Sequence, residues 1–329
     1  MDQHRISQVT GLLLISLITS LGMISPSLAA SESTADHSKF KELNRNFRTG
    51  PEVTKACLSC HTEAAKQVHK PKHWTWDFLN PENKQRLGKK NILNNFCIAP
   101  RSNFAYCTAC HVGFGWKDNN FDFTSEANVD CLVCHDTSGG YSKPPGKAGH
   151  PADAVNLKSV AQSVGKTSRD TCGACHFFGG GGDGVKHGDL DSSLMKPNKE
   201  LDVHMGTDGQ NFSCTRCHST SLHNIAGRVY STPAAKDRKS LVENDLTSKI
   251  TCESCHTATP HKTNTKANDH TDKVACQSCH IPAFARVNPT KMWWDWSTAG
   301  KKKNGKPYAV KDAMGKPTYM SKKGDMTWE

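Results

Sequence analysis

Seven times the chain repeats Cys-x-x-Cys-His, which sets two thiols and an imidazole at one fixed spacing. The copies are Cys57/Cys60/His61, Cys107/Cys110/His111, Cys131/Cys134/His135, Cys172/Cys175/His176, Cys214/Cys217/His218, Cys252/Cys255/His256 and Cys276/Cys279/His280. With 15 Cys and 17 His in 329 residues, chance placement would give on the order of 0.04 copies. Each copy reads as a c-type haem attachment site. The thiols form thioethers with the haem vinyl groups, and the adjacent His offers its unprotonated ring nitrogen to iron. The motif takes 14 of the 15 cysteines. Zinc would need two half-motifs per ion and no fixed following His. A disulfide framework would need no His at all. The pattern therefore implies a multihaem c-type cytochrome.

Nine further histidines lie outside the motifs and the first thirty residues: His37, His69, His73, His150, His187, His204, His223, His261 and His270. Seven haems need at most seven distal ligands, so this count permits a wire of bis-histidine haems and does not by itself demand a catalytic site. His69 and His73 flank Pro71, which interrupts a helix, so the two can serve two haems or one.

Two features break the pattern. Cys97, in Asn94-Asn95-Phe96-Cys97, has no motif partner and is either a reactive thiol or a buried inert one. The second feature is Phe177-Phe178 followed by Gly179 to Gly182, Asp183, Lys186 and His187. Its glycines either let backbone approach a macrocycle closely or serve as a connector. In an extended segment Lys186 and His187 point opposite ways, so they can reach two neighbouring haems. A lysine amine ligates iron only when deprotonated.

The elements that must position these groups are sparse. Residues 1–29 read as an export signal: Arg5, an apolar stretch from Gly11 to Met23, and a small-residue cleavage pattern at Ser27-Leu28-Ala29. An uncleaved anchor is the alternative, but the stretch falls short of the about 20 residues a span requires. No later segment is long enough, so no stable membrane span is expected after signal removal. Export places the chain in the periplasm, where c-type haems are attached. Helical spacing appears at Ser38 to Arg48 (Phe40, Leu43, Phe47), Thr62 to His69 (Ala64, Ala65, Val68) and Asp153 to Val164, closed by Gly165.

Only 36% of the residues are hydrophobic and 7% aromatic, thin for a core of this length. The expected fold is a haem core wrapped by mainly short α-helices and long irregular loops, with little or no β-sheet. Residues 30–285 form the multihaem domain. Residues 286–329 form a Trp/Lys-rich C-terminal segment with Trp293, Trp294 and Trp296, read as a flexible extension or a truncated end. The formal charge of +11 is offset by about −7 from seven oxidised haems with their propionates. Nucleic acid is therefore not an expected partner, and Lys and Arg are assigned to propionates and a small anionic substrate.

The seven ordered motifs, the Asn-Asn-Phe-Cys97 segment and the Phe-Phe-Gly-Gly-Gly-Gly-Asp-Gly-Val-Lys186-His187 segment resemble the octahaem tetrathionate reductase cytochromes of Shewanella-type bacteria. The resemblance runs from about Asp36 through the Trp-rich segment. It implies that Lys186 replaces a distal histidine at the haem on Cys107, Cys110 and His111, with Cys97, Asn94 and Asp183 in the pocket. His187 would serve a different haem. It also implies a periplasmic reductase acting on tetrathionate, nitrite or hydroxylamine, fed by a periplasmic or inner-membrane quinol-linked donor through bis-histidine haems. The alternative is a non-catalytic periplasmic electron carrier. The family has eight haems and seven motifs are present, so an eighth is expected beyond Glu329. The Cys-x-x-Cys-Lys motif of pentahaem nitrite reductases is absent, and none of the five Tyr identifies itself as the haem cross-link of hydroxylamine oxidoreductases.

Overall fold

The computed structural model describes residues 35–80, 83–91, 99–179, 182–183, 190–226, 252–281, 283–288, 290–291, 302–307, 323–324 and 326–327. The expected signal, and with it Asn94, Cys97, Lys186 and His187, lie outside the described residues. From Asp36 to Glu329 the chain forms one compact unit.

Each attachment motif sits on about one turn of helix, and the spacing explains why. Residues i, i+3 and i+4 share a helix face, so a single turn aims both thiols and the imidazole the same way. The N–H of the motif histidine closes that turn on the carbonyl of the first cysteine at His61, His135, His218, His256 and His280, at 2.9 to 3.1 Å. His176 ends the helix Arg169–His176. His111 departs from this. Its N–H bonds the carbonyl of Thr108 at 2.9 Å, because Thr108–Cys110 is wound as a tighter 3-10 turn.

The remaining helices are short and end where local signals say they should. Gly50–Leu58 starts with Pro51 and Glu52 in its first turn, and Glu52 accepts from the N–H of Arg48 at 2.9 Å. Ser168 and Thr171 form a reciprocal capping box before Arg169–His176. Arg169 then donates to the carbonyls of Met205 (2.6 Å) and Phe212 (2.7 Å), tying the 196–212 loop to that helix. The helix expected over Ser38 to Arg48 is instead two 3-10 turns, His37–Lys39 and Lys41–Leu43. Leu43 alone of its apolar stripe is fully buried, with Phe47 partly buried against the same cluster and Phe40 exposed, and so few anchoring side chains do not sustain a longer helix. The helix expected over Asp153 to Val164 is trimmed to Leu157–Gln162, with Asn156 accepting from Ser159 N–H as its cap.

Sheet is confined to two-residue ladders, as expected. One joins Ala283–Phe284 to Met326–Thr327 and another joins Thr290–Lys291 to Lys323–Gly324. Residues 323–324 and 326–327 therefore pair back to the stretch soon after the last motif, while Lys302–Lys303 pairs with Lys306–Pro307. Among the described residues no helix is long and apolar enough to cross a membrane.

Apolar packing is local and threads between the motifs. Leu43, Val53, Leu132, Leu157, Val160 and Ala161 form one cluster. Ala65, Trp74, Val112, Val129 and Val133 form a second, and Trp76, Phe104 and Trp116 a third. Each buried large side chain contributes about 1.5–3 kcal/mol. Every cluster joins elements flanking an attachment motif, so the packing serves to place the motifs.

The wrapping is uneven from motif to motif. Cys60, Cys255 and Cys279 are exposed, whereas the other eleven motif cysteines are half-buried. All three are the second thiol of their motif, and the histidine that follows each, His61, His256 and His280, is exposed as well. Cys57, Cys107, Cys110, Cys131 and Cys134 pack against an apolar cluster, which accounts for their burial; the three exposed cysteines pack against none, nor do the other six half-buried ones. A one-turn helix covers only the side that meets another element. At these three motifs the first thiol is turned inward and the second faces outward, so the spacing that marks Cys60, Cys255 and Cys279 for attachment does not bury them.

Candidate haem sites

Two imidazoles bound on opposite faces of one iron, with metal–nitrogen bonds of about 2 Å, place their ring centroids about 6 Å apart. Five motif histidines meet a second imidazole at that spacing. The pairs are His61 with His37 (6.3 Å), His135 with His223 (6.3 Å), His176 with His73 (6.0 Å), His256 with His204 (6.0 Å) and His280 with His261 (5.9 Å). The three motifs with an exposed second cysteine, Cys60, Cys255 and Cys279, are all among these pairs. Among the described residues no three metal-ligating side chains converge. Side chains meeting in twos suit the axial positions of a macrocycle better than a tetrahedral ion.

The His135 site shows how such a pair is made. Its Nδ1 shares a 2.8 Å hydrogen bond with the carbonyl of Gly165, and with Nδ1 as donor the Nε2 lone pair is left for a metal. Opposite it, the hairpin Thr220–Ser221/Asn224–Ile225 turns through Leu222 and His223. Both turn residues have positive φ, 49° and 64°, the two-residue type I′ geometry that ordinarily calls for Asn-Gly. Holding a leucine and a histidine there costs about 1–2 kcal/mol per residue, and the strained turn is what presents His223. Its Nδ1 is held by Gln67 Oε1 at 2.8 Å. Cys131, Cys134, His135 and His223 line a slot walled by Ala64 and Val68. Burial lowers the affinity of His223 for a proton, as it does for His73 and His176. A neutral ring is what metal ligation needs.

Thiols of different motifs also touch. Cys57 lies beside Cys131, Cys110 beside Cys175, and Cys172 beside Cys214. Cys252 likewise meets Cys276. The attachment points therefore run as neighbours through the molecule and are not isolated.

His111 is built differently. It is 0% exposed and enclosed by Trp116 (4.8 Å), Trp74 (5.1 Å), Trp76 (5.5 Å), Phe121 (5.6 Å) and Phe123 (6.2 Å). Burial drives its pKa down to about 3. Nε2 lies 2.7 Å from the carbonyl of Trp74, while Nδ1 is buried without a partner. This reverses the arrangement at His135 and His218, whose Nδ1 takes the carbonyl and leaves Nε2 for a metal, so His111 would have to release the Trp74 carbonyl to ligate iron through Nε2. Gly113 allows this crowding, since a Cβ there would fall within 2.9 Å of both the Trp74 and His111 rings. Among the described residues no second imidazole lies at the pair spacing from His111. Beside the motif opens a cavity of about 950 Å³ lined by Cys107, Cys110, Cys175, Lys89, Tyr106 and Tyr141, at the upper end of cofactor pockets.

The other expected site residues fall as follows. His218 has Nδ1 on the carbonyl of Ala226 at 2.8 Å, like His135, and among the described residues no second imidazole lies at the pair spacing from it; His187, expected to serve a haem other than that of His111, lies outside them. His69 stacks on Trp74 at 4.5 Å with Nε2 buried and unbonded, so it and His73 have different surroundings. His150 stacks on Phe114 at 5.9 Å, and His270 closes the 3-10 turn Thr265–His270. Asp183 accepts from Ser192 through its N–H (2.9 Å) and its hydroxyl (2.5 Å). The aromatic cage was not anticipated. Its one sequence signal was Trp74-Thr75-Trp76 directly after His73.

Comparison with known proteins agrees with this geometry. A crystal structure of octahaem cytochrome c from Shewanella oneidensis is 47% identical and superposes with a TM-score of 0.72, covering 90% of this chain and 63% of that one. The chain is a multihaem c-type cytochrome, similar to that protein. The cytochrome binds haem c. Residues 30–136 match the family described as cytochrome c554 and c-prime, and residues 291–329 match bacterial cytochrome c. An uncharacterized protein of Archaeoglobus fulgidus is 24% identical over 267 residues, 63% of this chain and 88% of that protein. The chain spans less than two thirds of the Shewanella protein's length.

Proposed function

We propose that this cytochrome is an exported, periplasmic oxidoreductase that gathers electrons through bis-histidine haems and delivers them to a small oxyanion or nitrogen substrate at the His111 site. The observation that carries the reading is the contrast between the five paired imidazoles and His111, which has an aromatic cage and no facing imidazole among the described residues. Haem c supplies a one-electron carrier at every site and, where the second axial position is weakly held, a place for a substrate. The chain's residues do the rest. The paired histidines would hold the haem iron between them and so leave a substrate no place there. The cage excludes water from His111 and keeps its ring neutral. Lys89 at the cavity wall offers positive charge to an anion. The exposed motifs at Cys60, Cys255 and Cys279 suit the places where electrons enter from a donor, because transfer needs a haem edge near the surface.

The finer assignments rest on the resemblance to the octahaem tetrathionate reductases. Lys186 would be the displaceable ligand opposite His111, with Asn94, Cys97 and Asp183 near it. The Cys97 thiolate would attack the central S–S bond of tetrathionate, forming a new S–S bond and releasing thiosulfate. Two electrons from a quinol-linked donor would then free the second thiosulfate and restore the thiol. Tetrathionate, nitrite and hydroxylamine are the candidate substrates.

A ligand titration tests the reading. The holoprotein should show one haem whose spectrum responds to cyanide, nitrite or hydroxylamine while the others stay low-spin. A protein in which no haem responds is a carrier, the role to which the five paired sites are equally suited. Cys97→Ala should lower tetrathionate turnover more than nitrite turnover, and equal losses would remove the thiol from the mechanism.

A further inference from the structure

Beneath the His111 motif lies an ion pair with no role in the proposed reaction. Lys143 Nζ and Asp130 Oδ2 are 3.0 Å apart, and their side chains are 3% and 0% exposed. All three ammonium protons are used. Besides Asp130, Nζ donates to the carbonyl of His111 at 2.5 Å and to that of Gly113 at 3.3 Å. Asp130 is itself held on both oxygens, by the Tyr141 hydroxyl (2.9 Å) and the N–H of Val133 (3.2 Å).

A buried ion pair is seldom the most stable way to fill a site, since apolar side chains of similar volume do as well or better. What it supplies is direction. The segment 111–113 is clamped from two sides. Lys143 takes its outer carbonyls, and between them Val112 donates to the carbonyl of His73 (3.5 Å) and accepts from the N–H of Asp130 (2.9 Å). Asp130 immediately precedes Cys131. The clamp therefore joins the His111 backbone to the start of the neighbouring motif and to His73, which faces His176. No described bis-histidine site has an ammonium on the carbonyl of its motif histidine.

We propose that Lys143 is a positioning residue for His111: held by Asp130 and Tyr141, it fixes the main chain at His111 and Gly113 and so sets how that imidazole is presented to iron. At the paired sites two imidazoles define the axis between them. At His111 no second imidazole lies at that spacing among the described residues, and the clamped backbone is what defines it.

The inference rests on His111 serving the open site, and the test separates the two. Lys143→Met alone would strand a buried carboxylate, so the working variant is Lys143→Met with Asp130→Asn. It is neutral, similar in volume and keeps an acceptor for Val133. Haem content by intact mass, cyanide affinity and a spectroelectrochemical redox titration are measured on the holoprotein. The expected result is full haem content, unchanged bis-histidine spectra, a change of about tenfold in cyanide Kd and a shifted midpoint for one haem. Tyr141→Phe should move the same haem in the same direction by less. Parent-like cyanide affinity and midpoints, or equal disturbance of every haem, would overturn the role. A parent in which no haem binds cyanide defeats the functional reading alone, because the titration still shows whether one midpoint moves or none.

Discussion

The His135 and His111 sites come from successive motifs in the chain, yet they are built in opposite ways. At His135 the peptide does little beyond the helical turn. One carbonyl orients the proximal ring, and a strained two-residue turn brings up His223 from 88 positions away. At His111 the motif is wound more tightly, five aromatic rings close around it and a buried lysine holds its backbone. At one site two histidines face each other at a spacing that would hold a haem iron between them, which suits electron carriage. The other commits much of the surrounding structure to a single ligand, which is worthwhile only where the opposite position has other work.

The sharpest way to break this comparison is to remove the proximal ligand at each site. His111→Ala should lower turnover by about 100-fold or more, with the paired haems spectrally intact. His135→Ala should slow delivery far less when electrons come from a small artificial reductant. Steady-state rates with reduced viologen measure both, and equal losses would erase the distinction.

Converting one kind of site into the other comes next. His223→Ala opens the position opposite His135, so a second haem should become cyanide-responsive. A titration with a single binding haem would mean that His135 and His223 do not share an iron. For stability, Trp116→Ala should cost about 3–5 kcal/mol and perturb the His111 haem first. Denaturant titration followed at that haem and by circular dichroism would show whether loss is local or global.

Finer differences separate the paired sites. The imidazole planes are nearly parallel at His61/His37 (20°) and His280/His261 (10°), but crossed at His135/His223 (74°), His176/His73 (72°) and His256/His204 (64°). Parallel rings split the iron d orbitals that crossed rings leave nearly degenerate. Electron paramagnetic resonance of the oxidised protein should therefore contain rhombic low-spin signals from the first two and large-gmax signals from the other three. The smallest effect expected is at the hairpin. Leu222→Gly relieves a positive φ and should stabilise the protein by about 1 kcal/mol, read as a higher denaturation midpoint with the His135 haem unchanged.

Much of this was legible in the sequence, though unevenly. The seven attachment sites and the scarcity of sheet followed from local spacing, because thiols at i and i+3 with a histidine at i+4 share one helical face wherever the turn forms. The Thr62 to His69 expectation also held, as Ala64–Val68. The motif could not say how deeply each thiol lies, since Cys60 and Cys134 occupy the same motif position and only Cys134 has an apolar cluster against it. The Ser38 to Arg48 helix did not form, because apolar periodicity says which face could be buried and not whether anything lies there to bury it. Distal partners were equally illegible. His261 and His280 are near in sequence, whereas His73 and His176 are 103 positions apart, and no local rule ranks such separations. Even His69 and His73, four residues apart, end in different surroundings once Pro71 turns the chain between them.

By itself, the sequence determined that the chain binds haem c, and it marked the cysteines and histidines expected to hold it, since covalent attachment is written in a contiguous motif. Tertiary structure decided which histidines face one another, which motifs lie at the surface and which site lacks a facing imidazole among the described residues. It also decided that Lys143, Asp130 and Tyr141 converge beneath that site. Those are distances across space between residues far apart in the chain. They exist only once apolar clusters have brought the motifs together.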